Sequence, residues 1–217
     1  MKAASLSPAP RFLRMQFPRV CTVVIAHDPS DLTDKVEQVG RDNSFIEIRL
    51  DYLSKPALVL PKLKQFFAAH RDLITIATCR RVANGGHFRG SVASQYELFL
   101  KAAQNGFRLL DVELETAESL RPHEFEKLRN GAAVVLSFHD FKGTKKLEDT
   151  WQRMQEFPAE IYKVVSTARA LSDNLAMMRL LQAHSDQYTM VGLCMGELGI
   201  ISRVSARQDC QDQSVSG

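Results

Sequence analysis

Lys163 lies inside an uncharged run, Ile161-Tyr162-Lys163-Val164-Val165-Ser166, where water is scarce. Burial disfavours an ammonium, so the sequence alone predicts a lowered pKa and an amine able to add to a ketone. An iminium formed there is an electron sink that makes a proton on the adjacent carbon acidic. Ala132 to Phe141, AAVVLSFHDF, ends an apolar run in His139, whose unperturbed pKa lies near working pH and suits it to remove that proton. Together they predict imine-assisted elimination or aldol-type chemistry. Arg49, Arg80 and Arg203 would hold an anionic or polyhydroxylated substrate, since guanidinium suits bidentate carboxylate recognition. Each residue also has an ordinary structural reading. A strand lysine is usually an exposed edge residue, a strand-end histidine is often satisfied by a neighbour such as Asp140, and Glu47 with Arg49, or Asp111 with Glu113, could pair as a polar layer. What favours chemistry is their recurrence in successive segments, at a cost in stability that structure alone does not require.

These side chains need elements that bring them to one place. Short apolar runs recur at Val20 to Ala26, Phe45 to Leu50, Leu73 to Cys79, Arg108 to Leu114, Ala132 to Phe141, Ile161 to Ser166 and Tyr188 to Met195. They read as seven buried strands. Between them, 29–39, 56–70, 92–105, 122–129, 146–157 and 170–184 read as helices. In the second of these, Leu58, Leu63, Phe66 and Phe67 fall on one stripe. Strand alternating with helix argues a parallel sheet of βα units. The polar residues fall in or at the ends of many strands, which a (β/α)₈ barrel uses and an open sheet with one crevice does not. No GxGxxG follows the first strand, which disfavours a dinucleotide site. The fold class is therefore α/β, a (β/α)8 TIM-type barrel.

Composition narrows the function classes. The chain has 217 residues, 45% hydrophobic and 24% charged, with a formal net charge of +3. One domain is the default. No Lys/Arg block marks a nucleic-acid surface, and no apolar run approaches the roughly 20 residues that span a bilayer. Cys21, Cys79, Cys194 and Cys210 lack CxxC spacing and read as free thiols in a reducing, cytoplasmic setting. Residues 1–19 form an acid-free leader, read as disordered because Pro8, Pro10 and Pro18 break any helix.

Taken together, Glu47-Ile48-Arg49-Leu50-Asp51, Thr78-Cys79-Arg80 before Gly85-Gly86, Asp111-Val112-Glu113, Ser137-Phe138-His139-Asp140-Phe141, Lys163, and Met195-Gly196 through Gly199 to Ser202-Arg203 resemble the type I 3-dehydroquinate dehydratases. The resemblance runs from about Val20 to Val204. It implies a lyase of the shikimate pathway, in aromatic amino acid and chorismate biosynthesis, that dehydrates 3-dehydroquinate to 3-dehydroshikimate through a Schiff base on Lys163. It further implies His139 as general acid/base, Glu113 orienting it, Arg203 on the substrate carboxylate, and Glu47, Arg49, Arg80 and Met195 lining the pocket. No metal or organic cofactor is implied.

The sequence departs from that pattern twice. Where the family often carries a Glu before the glycine pair, this chain has Asn84. After Val204, where an eighth βα unit and a lid loop are expected, residues 205–217 form a polar tail without an apolar run. The expectation is a barrel domain over 20–204 lacking its eighth unit, a truncated or frame-shifted copy, with a homodimer across the gap as one way to cover it. Two other functions stay open: a non-catalytic barrel that binds the pathway metabolite, and another imine-forming lyase such as a class I aldolase. The latter is disfavoured because no Gly-rich phosphate cup follows the seventh strand.

Overall fold

The computed structural model describes residues 17–18 and 20–205. The leader, Phe17 and Pro18 apart, and the polar tail, Ser205 apart, lie outside the described residues. Seven strands, β1 (Thr22–Val24), β2 (Phe45–Arg49), β3 (Ile74–Thr78), β4 (Leu109–Glu113), β5 (Ala133–His139), β6 (Ile161–Thr167) and β7 (Met190–Met195), form one sheet in consecutive order. Every neighbouring pair is parallel. Among the described residues eight α-helices accompany them: α1 (Pro29–Asp42), α2 (Leu60–Ala69), α3 (Val92–Gln104), α4 (Leu114–Ser119), α5 (Pro122–Gly131), α6 (Leu147–Met154), α7 (Ser172–His184) and α8 (Ile200–Ser205). Strand order that follows chain order, with helical crossovers, curls the sheet as a partial (β/α) barrel. Among the described residues β1 and β7 remain unpaired with each other, so the curl holds the seven strands expected and no eighth.

Alternation along the strands builds two apolar layers. Ile46, Ile48, Ala77, Leu110, Val112, Val134, Leu136 and Val164 pack outward with helix residues such as Leu32, Val36, Leu63, Phe99, Leu128 and Trp151. The opposite row, Phe45, Ile74, Ile76, Leu109, Ala133, Val135 and Ile161, forms a second cluster of buried strand residues, the floor of the curl, with the partly buried Phe17 and Cys21 packed against it. Each fully buried side chain of this size contributes about 1.5–3 kcal/mol, so the helices are held mainly by the outer layer. Local signals set the helix starts. Asp28 accepts from Ser30 N at 2.7 Å with Pro29 in the first turn of α1, and Ser91 Oγ accepts from Ser94 N at 3.1 Å to open α3.

Two local expectations are corrected. Residues 56–70 are a 3-10 turn (Pro56–Leu58) followed by α2, and the break before Pro61 leaves Leu58 64% exposed and off the stripe that buries Leu63 and Phe67. Helix α4 was not anticipated. It starts directly after β4 with Glu113 as both last strand residue and N-cap, so no turn residue announces it. No helix among the described residues is long and apolar enough to cross a membrane.

Candidate active site

The register carries the polar residues onto the same face as the floor cluster, nearer the C-terminal strand ends. Arg49 aligns with Thr78 and Thr78 with Asp111; Glu113 aligns with Ser137 and Ser137 with Lys163; His139 aligns with Val165. A ring of charge therefore stands above an apolar floor. The reason is periodicity: Glu47 and Arg49, Asp111 and Glu113, and Ser137 and His139 are each two apart, so each pair shares a face.

Asp111 is the hub. Its Oδ2 accepts from Arg80 Nη2 at 2.8 Å, its Oδ1 accepts from Ser137 Oγ at 2.5 Å, and Arg80 Nη1 donates to the same Ser137 Oγ at 2.7 Å. Lys163 Nζ reaches Asp111 Oδ2 at 3.3 Å and Glu47 Oε2 at 3.5 Å, with its side chain 20% exposed. Burial pushes the Asp111 carboxyl up, but Arg80, Lys163 and the Ser137 hydrogen bond outweigh it and hold it well below the usual carboxylate range. Sequence reasoning placed Asp111 in a motif without a role, because its partners come from β3, β5 and β6.

For Lys163 the expectation of a lowered pKa is overturned. Burial does pull the ammonium down, yet the charges of Asp111 and Glu47 prevail and its pKa is raised. The resting site holds an ammonium. His139 departs from expectation in the other direction. Burial, reinforced by the positive Arg80, lowers it from 6.5 to about 3, so the imidazole is neutral near pH 7. Its Nδ1 is buried without a partner among the described residues. Asp140 does not supply one, since its Oδ1 accepts from Lys142 N and Gly143 N instead.

Glu113 is buried, but its partners differ from those the resemblance implies. Its Oε2 accepts from Gln95 Nε2 at 2.9 Å, its Oε1 accepts from Arg81 N at 3.2 Å, and no hydrogen bond to His139 forms. Gln95, 0% exposed, ties α3 to the ring through Glu113, Cys79 O and Thr116 Oγ1, a role that no sequence signal marks. Arg49 is pinned by a two-fold contact to Asp51, 2.8 Å on each bond, and lies over the Tyr52 ring at 4.9 Å. Asp51 also accepts from His87 N at 3.1 Å, which fastens the glycine-rich loop to the β2 end. Asn84 in that loop donates to Glu115 Oε2 at 3.1 Å. Met195 is half-buried at the end of β7. Arg203 is exposed on α8 and forms no ion pair among the described residues. A cavity of about 400 Å³ lined by Arg41, Asp42, His70 and Arg71 lies at the opposite, N-terminal strand ends, away from these groups.

No group of three or more metal-ligating side chains is found among the described residues. Fold and site define a parallel-barrel protein with a charged interior centred on one lysine.

The chain belongs to the type I 3-dehydroquinase family, whose model matches residues 20–208. It is 34% identical over 196 residues to a 3-dehydroquinate dehydratase of Dehalococcoides mccartyi, covering 88% of this chain and 81% of that one. A 3-dehydroquinate dehydratase of Coxiella burnetii is 27% identical over 190 residues, covering 86% and 78%. Among solved structures, type I 3-dehydroquinate dehydratase from Clostridium difficile superposes with a TM-score of 0.77 at 22% identity, covering 88% of this chain and 80% of that one, a likeness of fold.

Proposed function

We propose that this chain is a hydro-lyase that dehydrates 3-dehydroquinate to 3-dehydroshikimate, the third step of the shikimate pathway, through an imine on Lys163. The observation that carries the reading is Lys163 itself, seated in the charged ring of a family barrel yet 20% exposed, where a small ketone can reach it. The neutral amine adds to the ring ketone and water leaves to give the iminium. His139, neutral and uncommitted at Nδ1, takes the proton from the adjacent carbon, and the electron pair flows toward the iminium nitrogen. The same proton then goes to the departing hydroxyl, and hydrolysis frees the enone and regenerates Lys163. Arg80 and Asp111 hold the ring rigid around this centre. Glu113 fixes the entry of the glycine-rich loop through Arg81 N. The exposed guanidinium of Arg203 is available for the substrate carboxylate, with Glu47, Arg49 and Met195 along the pocket wall.

The buried thiols Cys79 and Cys194 support a reducing, cytoplasmic setting, and a homodimer covering the open β1 and β7 edges is compatible with it. A second reading is metabolite binding without turnover: His139 is buried beside Arg80, which lowers its pKa to about 3 and weakens it as a base for proton abstraction. Turnover of 3-dehydroquinate, followed by the ultraviolet absorbance of the enone, decides between them when paired with a thermal melt in product. Absorbance growth supports the lyase; a ligand-shifted melt without growth leaves only the binder.

A further inference from the structure

The raised basicity of Lys163 leaves a step unassigned, because the ammonium must lose a proton before it can add to a carbonyl. We infer that Glu47 is a further catalytic residue, the relay that takes this proton from Lys163 and returns it to the oxygen that leaves as water. The inference rests on the imine reading of Lys163.

Three acceptors face the ammonium, and the geometry separates them. Asp111, on β4, is nearest at 3.3 Å, but both its oxygens are already occupied by Arg80 and Ser137, and its side chain is 1% exposed. A carboxylate so held by cations and hydroxyls is a poor proton acceptor. His139, on β5, makes no hydrogen bond to Lys163, and its imidazole is needed for the ring proton. Glu47, on β2, touches Nζ at 3.5 Å, and Lys163 is its only side-chain partner among the described residues. At 11% side-chain exposure it stays connected to solvent. The remaining groups around the lysine do not compete. Arg80 and Arg49 are cations, and the Cys21 thiol, ahead of β1, is pushed up to about 12 by burial and the Glu47 charge.

The steps balance. The ammonium gives one proton to the Glu47 carboxylate, leaving amine and carboxylic acid. The amine adds to the carbonyl carbon, the C=O π pair moves to oxygen, and a proton passes from nitrogen to that oxygen to give the carbinolamine. The Glu47 acid then protonates the hydroxyl, which departs as water while the nitrogen lone pair forms C=N, and Glu47 is again a carboxylate.

Glu47→Gln distinguishes a relay from a mere counter-charge, because the two predict opposite signs. Removing a negative neighbour makes the ammonium easier to deprotonate, so a charge-only role predicts faster imine formation at pH 7. The relay predicts slower formation, by about 100-fold, the usual scale of general acid–base assistance. Two readouts separate the effects on Lys163. Competitive acylation with acetic anhydride reports the neutral amine and is expected to rise or hold. Borohydride trapping with 3-dehydroquinate, and separately with glyoxylate, reports imine formation and is expected to fall. Trapping as fast as wild type or faster overturns the relay. Should 3-dehydroquinate give no adduct while glyoxylate adducts keep the Glu47 dependence, the dehydratase reading falls and the relay stands. No adduct from either carbonyl with folded wild-type protein overturns both. Melts monitor the fold of each variant. If Glu47→Gln does not fold, Glu47→Asp, one methylene shorter, is read on the same two axes and is expected to slow trapping about tenfold without slowing acylation; equal rates overturn the relay.

Discussion

Replacing Asp111 with Asn removes one charge from the hub and leaves its shape. Arg80 sits 2.8 Å away with 5% of its side chain exposed, so the lost attraction is worth about 6 kcal/mol at an effective dielectric near 20. Relief of Asp111's own desolvation offsets part of that, and the amide oxygen can still accept one bond. Breaking one partner of a buried pair typically costs about 3–5 kcal/mol, which is the expected loss here. For a chain of this length that is roughly 6–20 °C in melting temperature. Urea unfolding at pH 7, with the midpoint compared at constant slope, measures it. A complementary double variant, Arg80→Met with Asp111→Leu, is expected to recover at least about half the loss, since an apolar pair needs no charge compensation. A loss below about 1 kcal/mol for Asp111→Asn refutes the hub reading, because Arg80 would then be satisfied by Ser137 and Glu113 alone.

Acid titration of stability gives a second prediction. With a folded pKa of about 3 against 6.5 in the unfolded chain, His139 makes the unfolded state bind more protons between those values. Stability is therefore full above pH 6.5 and falls as pH drops, by up to about 1.4 kcal/mol per unit from this group. His139→Gln is expected to flatten the curve by about 2–3 kcal/mol between pH 6.5 and 4.5; equal slopes in urea titrations contradict the neutral histidine. Asp111 acts in a lower window, its folded pKa being depressed: its contribution is present above about pH 4 and lost below, so the two are separable. A third prediction concerns the glycine-rich loop. Gly85 has φ +76°, and a Cβ there would lie 2.4 Å from Phe141 Cζ, so Gly85→Ala is expected to cost about 1–3 kcal/mol. Phe141→Leu should relieve part of it in a double-mutant cycle, and simple additivity contradicts the contact.

The fold was legible because each strand is an apolar run and each connection carries helical periodicity. The barrel reading over the open sheet came from Glu47, Arg49, Thr78, Arg80, Asp111, Glu113, His139 and Lys163, which recur in or at the ends of successive strands. What could not be read was charge. The run around Lys163 predicts a lowered pKa, and only the meeting of β2, β4 and β6 shows that Glu47 and Asp111 reverse it. The same holds for His139, whose environment is set by Arg80 from the β3 end and by burial. Arg203, which the resemblance puts on the substrate carboxylate, is exposed on α8, and the chain enters that helix past Gly199, where any side chain would strike Cys194 O at 2.2 Å.

The central claim is that Lys163 forms the imine. Borohydride reduction of the protein with 3-dehydroquinate, followed by peptide mass spectrometry, tests it directly. The account predicts a single stable adduct on the peptide containing Lys163, absent in Lys163→Met. Folded wild-type protein that yields no adduct, or an adduct on another lysine, contradicts it.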